Sequence, residues 1–332
     1  LTRYSYYVCE KSDGQRYLLF LTSDPTDPSR ELAFLIDRRN DYWYVPGLHF
    51  PPPGPDITAF HTSTLIDGEL VLDAQPPGSP VPFIAKYLVF DCLALDNQLL
   101  MQRTLDKRIA YFKERVYAPY KALYKAYPEE AAYLPFRVEL KEMQFGYAAE
   151  LMFRNVLPNL PHGSDGLIFT ARSTEYKTGT DQNILKWKRE EENSVDFEWV
   201  FDWETKETAE GERLVDFDAL PVINLFVWMG DGKASKWYGT LHLEPQEWAD
   251  LKALGEPLDE RIVECYMDAQ KRWRFMRFRD DKDHANHVST VESVIESIRD
   301  AVSEKELIAV APEVRRRWKA REQVEKERQG RK

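Results

Sequence analysis

The chain has 332 residues, 43% hydrophobic and 13% aromatic, enough for two packed domains and too apolar for a disordered chain. Its net charge of −11 at pH 7 excludes a protein that wraps nucleic acid over a broad basic face, while leaving room for a local basic cleft. The cysteines, Cys9, Cys92 and Cys265, are far apart and odd in number, so they read as buried free thiols of a reducing compartment, neither a disulfide framework nor a zinc site.

The first hundred residues are rich in predicted strands: Tyr6–Glu10, Arg16–Leu21, Leu32–Asp37, Tyr42–Val45, Ser63–Leu72 and Ile84–Leu93. The Pro-rich segments 25–30, 51–56 and 75–80 interrupt them as surface loops, because clustered prolines remove the donors a sheet needs. Residues 103–130 carry apolar side chains at helical spacing. A strand over Phe136–Met143, a helix over 146–160, and strands at 165–170 and 184–189 close the first region, 1–193. Five strand-like runs then fill 194–287, the size of an OB-type barrel. Residues 288–332 read as a C-terminal helix that packs back on the first domain. Its basic end, 315–332, reads as a solvated helix face with i,i+4 ion pairs rather than an RNA-binding tail. The most apolar stretch, 219–230, is too short to span a bilayer, so the expectation is a soluble intracellular protein with no membrane partner.

Charged residues recur at the ends of apolar strands in EKSDGQR (10–16), LIDGELV (65–71), SDGLIFT (164–170), ILKWKR (184–189) and RFMRFRDDKDHAN (274–286). Each alone has a bland reading. Asp-Gly between apolar runs is usually a hairpin turn, Glu69 can be a solvated hairpin residue, and Phe90 can be core. Lys186 and Lys188 can guard a sheet edge against aggregation, and the His284/His287 pair reads as a helix start. All five in one chain are harder to dismiss.

Their chemistry can be argued from the residues. A lysine amine that attacks phosphorus must be neutral, and a free lysine is neutral only about once in ~2,500 molecules at pH 7. A cationic, partly desolvated setting improves it, and Arg16, Lys186 and Lys188 are placed to supply one while holding a triphosphate. Glu69 and Asp165, carboxylates at strand ends, suit Mg²⁺ or Mn²⁺.

In order and spacing the segments resemble the covalent nucleotidyltransferases, which comprise mRNA capping guanylyltransferases and polynucleotide ligases. The carrying residues are Lys11, Asp13, Gly14 and Arg16, then Asp67-Gly68-Glu69, Tyr87 to Asp91, Asp165-Gly166, Lys186-Trp-Lys188 and Arg279-Asp-Asp281-Lys282. EKSDG, GTDQNILKWK and WRFMRFRDDK are closest in texture to the fungal capping group. The resemblance implies an α+β fold: a nucleotidyltransferase domain of antiparallel β-sheets flanked by helices, then an OB-fold β-barrel and a terminal helix. It implies a guanylyltransferase with GTP as substrate and a divalent metal as cofactor. Lys11 would form a lysyl-GMP intermediate and pass GMP to the 5′-diphosphate end of RNA. It places Phe90 against the purine and Arg16 at the ribose. Arg38 is placed at a phosphate, and Arg279, Asp281 and Lys282 over the β- and γ-phosphates. Arg277 joins them because alternation puts it on the face of Arg279. The implied partners are an RNA 5′-triphosphatase subunit and the phosphorylated C-terminal tail of RNA polymerase II, in the nucleus. An ATP-dependent ligase and a catalytically silent binding module are the alternatives.

Overall fold

The computed structural model describes residues 1–189, 192–207, 212–217 and 219–330. Part of the acidic run at 190–194 and the last two basic residues therefore lie outside the described residues. The strands, in chain order, begin with β1 Tyr6–Ser12, β2 Gln15–Ser23, β3 Glu31–Ile36, β4 Tyr42–Tyr44, β5 Thr64–Ala74 and β6 Phe83–Leu95. They continue with β7 Gln98–Leu99, β8 Arg137–Leu140, β9 Gln144–Phe145, β10 Ser164–Ala171, β11 Leu185–Trp187 and β12 Ser194–Asp202. The last are β13 Thr205–Glu207, β14 Arg213–Val215, β15 Val222–Val227, β16 Lys236–Leu241, β17 Ile262–Met267 and β18 Trp273–Phe278. The helices are α1 Leu105–Phe112, α2 Ala118–Ala126, α3 Ala149–Leu151, α4 Pro245–Ala253, α5 Val288–Arg299 and α6 Glu304–Gly330.

The chain divides into two compact units, Leu1–Trp187 with Ser303–Lys332, and Lys188–Val302. In the first, a seven-stranded sheet runs β4-β3-β2-β5-β6-β7 with β8 on β6, and a four-stranded sheet runs β11-β10-β1-β9. Pairing is antiparallel except where β8 joins β6 in parallel. The larger sheet buries Leu19, Leu21, Ile66, Tyr87 and Val89 against Phe112, Val116 and Tyr120 of the helical segment, whose period-3.6 apolar stripe supplies the other half of the core. That segment is α1 and α2 joined by a π-helical turn, Lys113–Tyr117.

The segment that reads as a hairpin around Asp13-Gly14 is something else. β1 pairs with β9 and β10, and β2 pairs with β3 and β5, so Asp13-Gly14 carries the chain from one sheet to the other. Glycine is needed there for closeness: a Cβ on Gly14 would lie 2.6 Å from the Leu70 carbonyl oxygen and 2.8 Å from Glu69 Cγ. The expected helix over 146–160 is broken into α3, a π-helical turn Met152–Val156 and a 3₁₀ turn Leu157–Asn159.

The second unit is a closed five-stranded barrel in the order β12-β15-β16-β18-β17, with β16 and β18 parallel, which is OB topology. Alternating residues of β12, Val195, Phe197, Trp199 and Phe201, fill it. The sequence reading lacked α4, which lies between β16 and β17 and packs Trp248 and Leu251 on the barrel core. It also expected one C-terminal helix where there are two. His287 starts α5, accepting from Ser289 N–H, and α5 belongs to the barrel unit. Only α6 belongs with the first. Its basic end is less solvated than expected: Trp318 is buried against Tyr7 and Phe145, and Arg321 donates to Ser5 Oγ and to the carbonyls of Thr2 and Tyr4. All three cysteines are buried and free, and burial pushes the Cys9 and Cys92 thiols up to about 12. No described helix is long and apolar enough to cross a membrane.

Candidate active site

Lys11 stands near the end of β1 at a break in the ladder. Glu10 pairs with Leu167 and Ser12 with Ser164, so Lys11 alone faces the two residues Asp165 and Gly166. Such a bulge bends a strand and re-aims its side chain. Gly166 takes the φ of 148° that this requires, a backbone region where a side chain is strained. Lys11 Nζ donates to both Asp165 carboxylate oxygens at 2.6 Å, and both side chains keep about a fifth of their surface exposed, open to a ligand. The next residue reaches the other sheet: Ser12 Oγ donates to Glu69 Oε2 at 2.5 Å.

Glu69 lies on β5 directly across from Arg16 on β2. Arg16 makes a two-pronged pair with Asp67, Nε to Oδ1 at 2.9 Å and Nη2 to Oδ2 at 2.6 Å. Tyr176 OH accepts from Arg16 at 2.9 Å and donates to Asp67 at 2.7 Å. The hydrogen bonds to Asp67 raise the guanidinium pKa above its ordinary value, overcoming partial burial. Arg16 is thus a fixed cation whose half-exposed head is aimed by a buried carboxylate. Phe90 also sits at a bulge. Gly68 pairs with Val89 and Asp67 with Asp91, leaving Phe90 the extra residue on β6 and half-buried. Beside it, Asp91 is buried against Arg108, with Nε to Oδ1 at 2.7 Å and Nη2 to Oδ2 at 2.8 Å. Burial raises the Asp91 carboxyl despite that pair.

Arg38 is exposed in the β3–β4 turn, beyond Ile36, which pairs with Leu18 near the Arg16 end of β2. Lys186 is exposed on β11, opposite Ile168 of the strand that carries Asp165. Lys188 is half-buried and is the first residue of the second unit.

In the barrel unit, three basic candidates gather on three carboxylates, Asp196, Glu264 and Asp281. Arg279 donates to Asp281 through Nε and Nη2 at 2.9 Å each and to Asp196 at 3.0 Å, and its Nη1 lies 3.5 Å from Glu264. Lys282 also donates to Asp196, and Arg277 donates to Glu264 at 2.6 Å. The Asp281 pairing raises Arg279, and Arg279 in turn holds Asp281 well below the usual carboxylate range. Burial pushes Glu264 up, but hydrogen bonds from Ser194 and Arg277 outweigh it and leave the carboxyl lowered. A cavity of about 530 Å³ within this unit is lined by Arg279, Lys282, Arg261, Lys233 and Asp280.

Among the described residues no three His, Cys, Asp or Glu side chains are gathered for a metal ion. Glu69 and Asp165, on either side of Lys11 and Ser12, nevertheless fit an ion such as Mg²⁺ or Mn²⁺. Such ions take one or two protein carboxylates and complete their shell with phosphate and water oxygens. Sequence reasoning missed Ser12, Tyr176 and Lys141 in the first unit and Asp196 in the second. Ser12 lay inside a recognised motif, whereas the others meet the candidate residues of their own unit only through tertiary pairing.

This arrangement, a lysine presented between two sheets with an OB-type barrel following, is that of a nucleotidyltransferase. A family model described as mRNA capping enzyme, catalytic domain, matches residues 1–190, and one described as mRNA capping enzyme, C-terminal domain, matches residues 192–308. The mRNA-capping enzyme subunit alpha of Neurospora crassa is 48% identical over 98% of this chain and 84% of its own length. The Schizosaccharomyces pombe protein of that name is 43% identical over 94% of this chain and 76% of its own. Among solved structures, a mycobacterial DNA ligase D complexed with ATP superposes with a TM-score of 0.38 and 18% identity over 84% of this chain and 90% of that one, too loose to carry an argument. The chain belongs to the mRNA capping enzyme family. Its activity is that of an mRNA guanylyltransferase, with GTP as substrate.

Proposed function

We propose that Lys11 is the nucleophile of this guanylyltransferase and carries GMP as a phosphoramidate. The Lys11–Asp165 pair carries the reading: the motif lysine is partly exposed, fixed by a carboxylate 154 residues away, and set at the join of two sheets. Asp165 orients the ammonium, which must lose a proton to solvent before attack. The neutral amine then attacks the α-phosphorus of GTP. A nitrogen–phosphorus bond forms, the bond from that phosphorus to the α–β bridging oxygen breaks, and pyrophosphate leaves, taking up the proton that the nitrogen sheds. In the second step a terminal phosphate oxygen of 5′-diphosphate RNA attacks the same phosphorus. The nitrogen–phosphorus bond breaks and the lysine amine takes back a proton.

Arg16, aimed by Asp67 and Tyr176, contacts the ribose, and Phe90, displaced by its bulge, stacks on the purine. Arg38, Lys186 and Lys188 hold phosphates. Arg277, Arg279 and Lys282 act on the β- and γ-phosphates, and Asp281 keeps Arg279 in place. Glu69 and Asp165 would hold a divalent cation, Mg²⁺ or Mn²⁺. The cation supplies charge neutralisation at the transferring phosphate.

The relatives are named as subunits, which supports a partner subunit; its proposed chemistry is that of an RNA 5′-triphosphatase, which makes the diphosphate end. The phosphorylated tail of RNA polymerase II as second partner, and a nuclear location, extend the same reading. Incubation with α-³²P-labelled GTP or ATP tests it. An SDS-stable, acid-labile adduct from GTP is expected, and an adduct from ATP alone would overturn it in favour of a ligase.

A further inference from the structure

Behind the Lys11 site lies a buried lysine that the reaction as described does not use. Lys141 follows β8, and its backbone N–H donates to the Val89 carbonyl at 2.8 Å, one residue before Phe90. Its side chain is 2% exposed and runs inward between the sheets. Nζ donates to Ser12 Oγ at 2.5 Å and lies 3.5 Å from both Glu10 Oε1 and Glu69 Oε2. Glu10 is itself buried, with His162 Nε2 3.9 Å from the same oxygen, and His162 Nδ1 lies 2.8 Å from buried Asp73.

A lysine is almost never fully buried unless paired, and a buried ion pair rarely improves stability over apolar residues of the same volume. What such a pair can supply is a unique arrangement of its neighbours. The neighbours here are the residue after the nucleophile and the carboxylate opposite it, on different sheets. Ser12 Oγ accepts from Lys141 and donates to Glu69, so the ammonium fixes the direction of the hydroxyl and, through it, the carboxylate. An apolar side chain would fill the space but leave Ser12 and Glu69 free to turn.

We infer that Lys141 is a positioning residue for the guanylylation step. Its ammonium, balanced by Glu10, holds Ser12 and Glu69 in the orientation that presents Lys11 to the α-phosphate. This rests on the reading of Lys11 as nucleophile. A merely structural Lys141 would be needed only to balance the buried charge of Glu10 beside the more exposed Glu69, and removing the Glu10 and Lys141 charges together would then restore activity with stability.

The experiment measures single-turnover adduct formation across GTP concentrations, together with thermal unfolding, for the full chain and for Lys141→Met, Glu10→Gln/Lys141→Met and Lys11→Ala. The double variant is expected to unfold near the wild-type temperature. It is expected to lose about 10- to 100-fold in the maximal adduct-forming rate, the usual scale for groups that orient a site's ligands, with half-saturating GTP changed by less than about threefold. A double variant that labels at the wild-type rate overturns the inference. Should it not fold, Ser12→Ala removes the same link without creating a buried charge; the same rate-selective loss is then expected, and a wild-type rate overturns it. An adduct that persists in Lys11→Ala removes the nucleophile assignment and this inference with it. Loss in Lys11→Ala beside full activity of the double variant removes this inference alone.

Discussion

The two units hold their functional cations in different ways. In the nucleotidyltransferase unit, Arg16 and Lys11 are each fixed by a carboxylate brought from another strand, and Asp67, the partner of Arg16, is fully buried. In the barrel unit, Arg279, Lys282 and Asn286 share Asp196, and Arg279 has Asp281 besides. The first arrangement makes a functional residue part of the core's electrostatics. The second spreads the task, so that one donor can be lost without stranding a charge. Chemistry and stability are thus entangled in one unit and largely separable in the other.

Substituting one arginine in each unit probes that contrast. Arg279→Ala removes a cation proposed to act on phosphate and is expected to slow adduct formation by about 10²- to 10³-fold. Asp196 keeps Lys282 and Asn286, so unfolding of the barrel unit should barely move. Arg16→Ala leaves Asp67 buried with the Tyr176 hydroxyl, and is expected to cost its unit about 3–5 kcal/mol in denaturant unfolding as well as activity. Equal stability losses in the two variants would break the comparison.

A smaller effect sharpens it through pH. His49 in the first unit donates to Glu31 at 2.6 Å and to the Ile57 carbonyl at 2.7 Å. The hydrogen bond to Glu31 outweighs partial burial and raises its pKa above the ordinary 6.5. A raised histidine contributes stability that is fully present below 6.5 and is lost as pH rises through the higher folded value. The unit's unfolding free energy should therefore fall slightly as pH rises from 6.5, by less than about 1 kcal/mol for this partly exposed pair. His49→Gln should flatten that slope and leave the barrel's unchanged.

Much of the site was legible because its residues lie in short motifs, and the barrel because five apolar runs of strand length follow one another. What the sequence hid is pairing across distance. Asp13-Gly14 has the composition of a hairpin turn, and nothing local tells that β1 and β2 enter different sheets. The Gly14 requirement comes from Leu70 and Glu69, more than fifty residues on. The bulges at Lys11 and Phe90 depend on register with β10 and β5, which period-two alternation cannot show. Lys141 stands among charged residues in VELKEM and reads as a surface lysine. Only the closing of the two sheets over it makes it buried. α4 escaped because its first turn opens on Glu-Pro after a strand, where a loop is an equally good reading.

Whether Lys11 carries the nucleotide is read out by peptide mapping by mass spectrometry after incubation with GTP and a divalent cation. The GMP mass is expected on the peptide containing Lys11, with protease cleavage after that residue blocked. GMP on a peptide containing Lys141, Lys186 or Lys188, with Lys11 unmodified, would contradict that assignment.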